Sequence, residues 1–545
     1  MTLDQLVRRN PTRAVRTAHL DDAHVGDIVG ALGTIRQDGA RPRGLRRLLA
    51  LLAILGPGLI VMVGDNDVGG VSTYTQAGQN YGVGLLWVLL LLVPVLVVNQ
   101  EMAARLGAVT GVGHARLIKE RFGRFWAAFS VGDLFVLNFL TIATEFVGIK
   151  QSAEYFGLSR FLVVPLAALV LIGITASGNF RRWERAMFVF LAVSLLVIPL
   201  AVIAHPDPVE AVKGYVIPGI RGGLTSTSAL LIIAIVGTTV APWQLFFQQS
   251  NVIDKRITPR WFAYEKADTA LGSVVVVIGA SAIIMATAAV FGGTKEFGNF
   301  SDALSVAVGL HQHNSYLLGA IYAVLLFDAS IVGASAVTLA TSYAFGDVFG
   351  LRHSLHRGFR EAKLFYGTYS GMVVVAAALV LLTNDYIASL ITVAVQALAG
   401  ILLPSASVFL VLLCNDTEVL GPWMNKPWLN IVATVIVSVL LELSLILIIS
   451  TIFPSIDVTK LVFVLSAVLV VAMVAGSALI LRSPTRPPSM SSEEKANWRM
   501  PALALLQPAQ WSLGRRIAVL AMQAYLGLAV VLLVVKAVQI ALGHH

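Results

Sequence analysis

The sequence predicts an all-α polytopic membrane protein built on an inverted repeat, with helices one and six of the repeat broken in mid-span. Three observations predict this. The composition is too apolar for a water-facing surface, the apolar runs are long and continuous, and two spans five apart carry polar interruptions rich in Gly or containing Pro. Of 545 residues, 57% belong to the apolar set AVILMFWYC and 13% are charged. Soluble domains run at about 45–50% and about 25%. That balance excludes secreted disulfide scaffolds, disordered hubs and ordinary cytosolic enzymes. The single cysteine, Cys414, permits no intramolecular disulfide and no CxxC redox or metal motif.

Taken in chain order, residues 1–47 carry nine Lys/Arg, several acids and no long apolar core, so they read as a polar cytoplasmic tail and not as a cleavable leader. Thirteen apolar stretches long enough for the ~20 residues of a spanning helix follow: 48–80, 83–104, 126–150, 160–177, 186–204, 227–251, 268–291, 316–345, 366–383, 386–413, 428–453, 458–481 and 517–541. Runs such as Leu85 to Val98 lack the alternation of barrel strands, which leaves helices. The expected organisation is a ten-helix core over 48–413, added spans within 414–481, a Pro/Ser-rich linker at 482–516 and a last helix at 517–541.

With the tail inside, the connections expected on the cytoplasmic side hold 32 Lys/Arg, including the tail, and the outer ones six. This asymmetry is what the positive-inside rule requires, and it places the N-terminus in the cytoplasm of a multi-pass plasma-membrane protein. The net charge of +9 is therefore read as topology and not as a nucleic-acid footprint.

Two spans do not run straight through. In the first, Gly64-Asp65-Asn66-Asp67-Val68-Gly69-Gly70 interrupts the apolar pattern. Carboxylates at membrane depth are expensive and mark function by default. In the sixth, Gly237-Thr238-Thr239-Val240-Ala241-Pro242 is followed by Trp243 and Gln244, and Pro242 removes a backbone donor. Gly64, Gly69, Gly237 and Pro242 are the expected break residues. Interruptions at matching places in two halves point to an inverted-repeat transporter with its substrate between the breaks. Pro242 alone could equally mark a simple kink. A calcium loop is rejected, because Gly69 and Gln76 stand where ligands are wanted. Glu145 is either a buried acid without a role or a proton-relay or vestibule acid. Gln396 is either packing glue or a ligand. Asp133, Asn138, Asp328 and Glu442 are further polar residues within spans.

Several of these segments resemble the NRAMP family of divalent-metal transporters. Gly56-Pro57-Gly58 through Gly70 is similar to the family's first helix. Gln100-Glu101-Met102 through Gly111 resembles its segment after span two, Glu145-Phe146-Val147-Gly148 its third span, Gly237 through Trp243 its sixth-helix break, and Gln396 through Pro404 its tenth helix. The resemblance covers about 48–450 and implies a LeuT-like fold, helices one to five repeated by six to ten, with about three further C-terminal helices. It implies a metal held by Asp67, by the carbonyl of Thr238 and by the positions of Gly70 and Ala241. Family members carry Asn and Met at the last two. Trp243 and Gln248 replace two histidines, and Ile142 replaces an acid.

A thioether favours soft metals, whereas carboxylates, carbonyls and water suit Mg²⁺ and Mn²⁺. The departures therefore look like the NRAMP-related magnesium-transporter branch. The expected substrate is Mg²⁺ and Mn²⁺, largely hydrated, carried inward with weak or no proton coupling, and no cofactor is expected. Asp67 is the expected anchor, with Asp65, Asn66, Thr238, Gln244 and Gln396 lining the site directly or through water. The alternatives are a proton-coupled Mn²⁺/Fe²⁺ importer and an organic-solute carrier on the same scaffold. Asp65 and Asp67 disfavour an anionic solute. A metal sensor lacks an output domain, and no nucleophile–base constellation suggests an enzyme.

Overall fold

The computed structural model describes residues 21–528 apart from 38, 40–43, 384, 454, 483–489, 508 and 510–514; at 385–394, 396–397, 451 and 475–482 it describes backbone alone. Residues 1–20 of the expected tail and 529–541 of the expected last helix lie outside the described residues, as do 483–489, 508 and 510–514 of the expected linker. Among the described residues the chain is helical except for one short antiparallel hairpin, β1 (Ile28–Gly30) with β2 (Gly33–Ile35), in which Ile28 pairs with Ile35.

The first span is three pieces: α1 (Arg46–Ile54), α2 (Pro57–Val63) and α3 (Val68–Tyr81). Pro57 starts α2 at a position that needs no backbone donor. There follow α4 (Leu86–Thr110), α5 (His114–Phe122), α6 (Arg124–Tyr155), α7 (Arg160–Thr175), α8 (Phe180–Ser194), α9 (Val197–Ala204) and α10 (Pro208–Val216). The second half opens with α11 (Ser226–Thr239) and α12 (Pro242–Asp254), the two pieces of the sixth span. It continues with α13 (Phe262–Phe291), α14 (Ala303–His313), α15 (Tyr316–Phe349), α16 (Lys363–Leu382) and α17 (Asp385–Cys414). Short α18 (Thr417–Leu420) leads to α19 (Pro427–Ile452) and α20 (Val458–Arg482), and α21 (Ser492–Asn497) precedes a helical stretch at 515–528.

By length and composition, eight helices among the described residues can cross a membrane, or up to ten if two bent pairs are each counted as one span. The difference from thirteen has plain causes. The expected spans 48–80 and 83–104 are redivided, so that α3 and α4 run on as Val68–Thr110 while α1 and α2 form a pair bent by 49°. Arg160–Thr175 and Val458–Val474 are shorter than 18 residues, and the last expected span is described only to 528.

Broken spans one and six sit at the centre. α15 packs along α6, α13 lies against α2 and α3, and α11 packs against α3. One continuous apolar core runs through these helices, from Ile60 and Tyr74 to Trp243, Phe247 and Tyr343. Part of the segment expected to be a polar tail is instead folded. Ile28 is fully buried beside Ala50, Ile54 and Trp261. The Ala31 N–H donates to the Glu184 carboxylate, which also pairs with Lys255 Nζ at 2.6 Å, with neither ion exposed. Asp21 accepts from Arg357 Nε at 2.8 and 2.9 Å and from the His353 N–H at 3.0 Å. Burial raises the Asp21 pKa, but the Arg357 hydrogen bonds, the Ala23 N–H and the nearby positive charge outweigh it and pull the carboxyl down to about 2. Hydropathy alone misses this, because the segment is anchored by ion pairs around a few apolar contacts.

Candidate functional site

The first break spans Gly64 to Asp67. α2 closes at Gly64, whose N–H still reaches Ile60 O, and α3 opens at Val68 with Asp67 as its cap. Asp67 Oδ1 accepts from the Gly70 N–H at 2.8 Å, as an N-cap carboxylate should. One carboxylate oxygen is thus committed to structure. Asp65 is fully buried and neither of its oxygens has a partner among the described residues. An ionised group left so is costly unless a cation meets it, which gives this break its functional character.

The second break faces the first. α11 ends at Thr239, Val240 leaves helical geometry, Ala241 takes extended backbone, and Pro242 starts α12. The Thr238 carbonyl would ordinarily accept from the N–H four residues on, but that residue is Pro242, which has none. The sixth-span proline therefore does more than kink the helix. It leaves one carbonyl without a helical donor beside the first break. Two contacts tie the breaks together. Tyr74 Oη and Thr239 Oγ1 lie 2.7 Å apart, and a Cβ placed on Gly70 would stand 3.5 Å from Thr238 Oγ1.

Glu145, read from sequence as a buried acid or a proton-relay or vestibule acid, sits at the break itself. Its Oε2 accepts from the Val68 N–H at 3.3 Å, and its Oε1 is buried without a partner among the described residues. Gly333 on α15 makes the room. A Cβ there would lie 2.9 Å from Asp67 Cβ and 2.9 Å from the Glu145 carboxyl carbon. The sequence singled out Glu145 but gave no signal for Gly333, whose role exists only through packing.

Two expected lining residues are turned elsewhere. Asn66 Nδ2 donates to Val276 O on α13 at 3.3 Å, away from the α11 side of the break. Successive residues in an irregular turn point in different directions, so Asn66 does not share a face with Asp65 and Asp67. Gln244 accepts from Gln100 Nε2 on α4 at 3.0 Å, and Gln248 donates to Glu265 at 3.0 Å. Both glutamines are thus tied to neighbouring helices, with Gln244 Nε2 and Gln248 Oε1 left without a partner among the described residues. Gln396 lies on α17, but its side chain is outside the described residues. Ala241 and Trp243 are buried, and Trp243 reaches toward Gly64. Among the described residues no group of three or more His, Cys, Asp or Glu side chains converges as metal ligands would. An ion held here would rest on one or two carboxylates, backbone carbonyl and water.

The sequence also passed over an acid that orients the first break. Asp268, at the edge of the seventh span, accepts from the N–H groups of Gly56, Gly58 and Leu59 at 3.0, 2.8 and 3.3 Å. It caps α2 from a neighbouring helix. An acid at a span edge was the available signal, but its partners lie about 210 residues away.

Comparison with known proteins agrees with this architecture. Residues 58–450 match the family described as natural resistance-associated macrophage protein-like. The chain is 26% identical over 428 residues to the divalent metal cation transporter MntH of Bacillus subtilis, covering 75% of this chain and 94% of that one. It is 28% identical over 423 residues to MntH of Lacticaseibacillus casei, covering 74% and 90%. Among solved structures, the Eremococcus coleocola manganese transporter superposes with a TM-score of 0.61 at 19% identity, covering 92% of this chain and 98% of that chain. The last likeness is one of fold: an all-α bundle of membrane-length helices.

Proposed function

The chain belongs to the natural resistance-associated macrophage protein-like (Nramp) family, and on that premise we propose that it carries divalent metal cations, Mg²⁺ and Mn²⁺, inward across the plasma membrane. The metal is the substrate and no cofactor takes part. Relatives named as divalent metal cation transporters support the reading of the substrate class. The helices over 48–413 form the transport core in this reading, with the N-terminus cytoplasmic, as the distribution of Lys and Arg supports.

The observation that carries the metal preference is the donor set. Asp65 and Asp67 lie at one break, a proline-freed carbonyl at Thr238 lies at the other, and Ala241 stands where a thioether would otherwise be. Hard oxygens with room for water suit an ion that gives up its hydration reluctantly. Uptake of Mn²⁺ into proteoliposomes, challenged with Mg²⁺ and with Cd²⁺, tests it. Mg²⁺ is expected to compete effectively, and strong preference for Cd²⁺ refutes the reading.

A second reading, a proton-coupled Mn²⁺/Fe²⁺ importer, is favoured by one observation: Glu145 stands against the cap of α3, beside Asp67. Without the family's histidines and the acid replaced by Ile142, we expect metal flux without obligatory acidification. A metal-driven fall in lumenal pH that vanishes in Glu145→Gln would establish the second reading.

A further inference from the structure

Behind the first break, a cavity and an acid without an assigned role coincide. A cleft of about 250 Å³ lies on the α13 side of the first break, with Asn66, Leu191, Ser194, Ile278, Asp328 and Val332 among its walls. Its volume is near the lower end of the about 300–1,000 Å³ of small-molecule sites. Most of the lining is aliphatic, and among the described residues Asp328 is the one carboxylate in it and no basic side chain borders it. Asp328 is 2% exposed; its Oδ2 accepts from Ser194 Oγ at 2.6 Å, and its Oδ1 has no partner among the described residues. At the rim, Leu195, Ile198 and Ile278 are 57%, 55% and 57% exposed. They stand on Phe180–Ala204 and Phe262–Phe291, both apolar enough to cross a bilayer, so the mouth opens toward acyl chains.

The chemistry of the walls narrows the occupant. A hard metal ion wants about six or more oxygens, and this cleft offers a carboxylate, a hydroxyl and an amide amid hydrocarbon. A lipid chain would satisfy the walls and leave the carboxylate unpaired, which is costly at this depth. We propose that the cleft binds a small organic monocation with an apolar body, its ammonium on Asp328 and its hydrocarbon between α8–α9 and α13. Val63 and Val71, which flank the first break, and Asn66 within it form the inner wall. An occupant there wedges against the broken helix from the side opposite α11, so it restrains the helix without touching Asp67 or Thr238.

Binding is read directly, so the result does not depend on what the protein transports. The target is the full chain in lipid nanodiscs, titrated calorimetrically without metal. The probes are phenethylamine and its uncharged counterpart, phenethyl alcohol. The amine is expected to bind about tenfold or more tighter than the alcohol, the size of one charge-assisted hydrogen bond. Asp328→Asn is expected to erase that difference. Ala329→Phe fills the cleft from the same helix while keeping the carboxylate, and is expected to abolish binding of both probes. Equal affinity of amine and alcohol for the wild type, which a purely apolar occupant site would give, overturns the proposal. So does amine binding that survives Ala329→Phe unchanged, a result that holds even if Asp328→Asn does not fold.

Discussion

Gly333→Ala is the sharpest test of how the first break is held. The added methyl would stand 2.9 Å from Asp67 Cβ and 2.9 Å from the Glu145 carboxyl carbon, both inside contact distance. Asp67 cannot withdraw freely, because its carboxylate caps α3 through the Gly70 N–H. Glu145 is held by the Val68 N–H. Overpacking a buried site costs about 1–3 kcal/mol. If the strain falls on the metal-binding geometry, the dissociation constant rises about 5- to 150-fold. The assay is Mn²⁺ titration of the purified protein, with a thermal melt to report folding. Gly371→Ala is the control. A Cβ at Gly371 meets nothing within 4 Å, and that glycine lies within α16, so the melt is expected to hold or rise. Wild-type metal affinity in Gly333→Ala would refute the argument that α15 sets Asp67 through close packing.

Further outcomes follow from the same geometry. Asp67→Ala is expected to abolish metal uptake in proteoliposomes while the protein still inserts and purifies. Ala241→Met adds a soft ligand and removes room for water, so competition assays should show a shift toward Cd²⁺ of about tenfold, roughly 1.4 kcal/mol. Adding Gly70→Asn is expected to undo the gain and lower the melting temperature. Its Cβ would lie 2.8 Å from the Asp65 backbone oxygen and 3.3 Å from Tyr74. For the N-terminal segment, the Asp21 pKa is depressed to about 2, so its contribution is present above the unfolded value of 3.8 and is lost as pH falls through about 2. Hydrogen exchange of residues 21–35 should therefore stay protected from pH 7 to pH 4. Arg357→Ala should release the segment already at neutral pH.

Much of the architecture was legible because bilayer physics acts on composition and order. Long apolar runs and the interruptions at Asp65–Asp67 and at Pro242 are local properties, and the two interruptions map onto the observed breaks. The expected polar tail failed in part for the opposite reason. Residues 28–35 are held by Glu184 and Arg185, which lie 153 and 154 residues from Ala31, and no window of sequence contains those partners.

The site divides along the same line. Which residues carry the charge, and which backbone carbonyl goes without a donor, follow from residue type alone: Asp65 and Asp67 are acids in a span, and Pro242 has no N–H. Which way those groups point does not. Helical or strand periodicity assigns faces, but the turn from Gly64 to Asp67 has neither period, so the sequence offered Asn66 as a ligand while the fold turned it to Val276. Gln244 looked equally available until α4 supplied Gln100. Glu145 and Gly333 were brought to Asp67 by the packing of α6 and α15 on the broken helix. Bilayer solvation acts on each residue where it stands, whereas side-chain direction at a break is set by neighbours from distant parts of the chain.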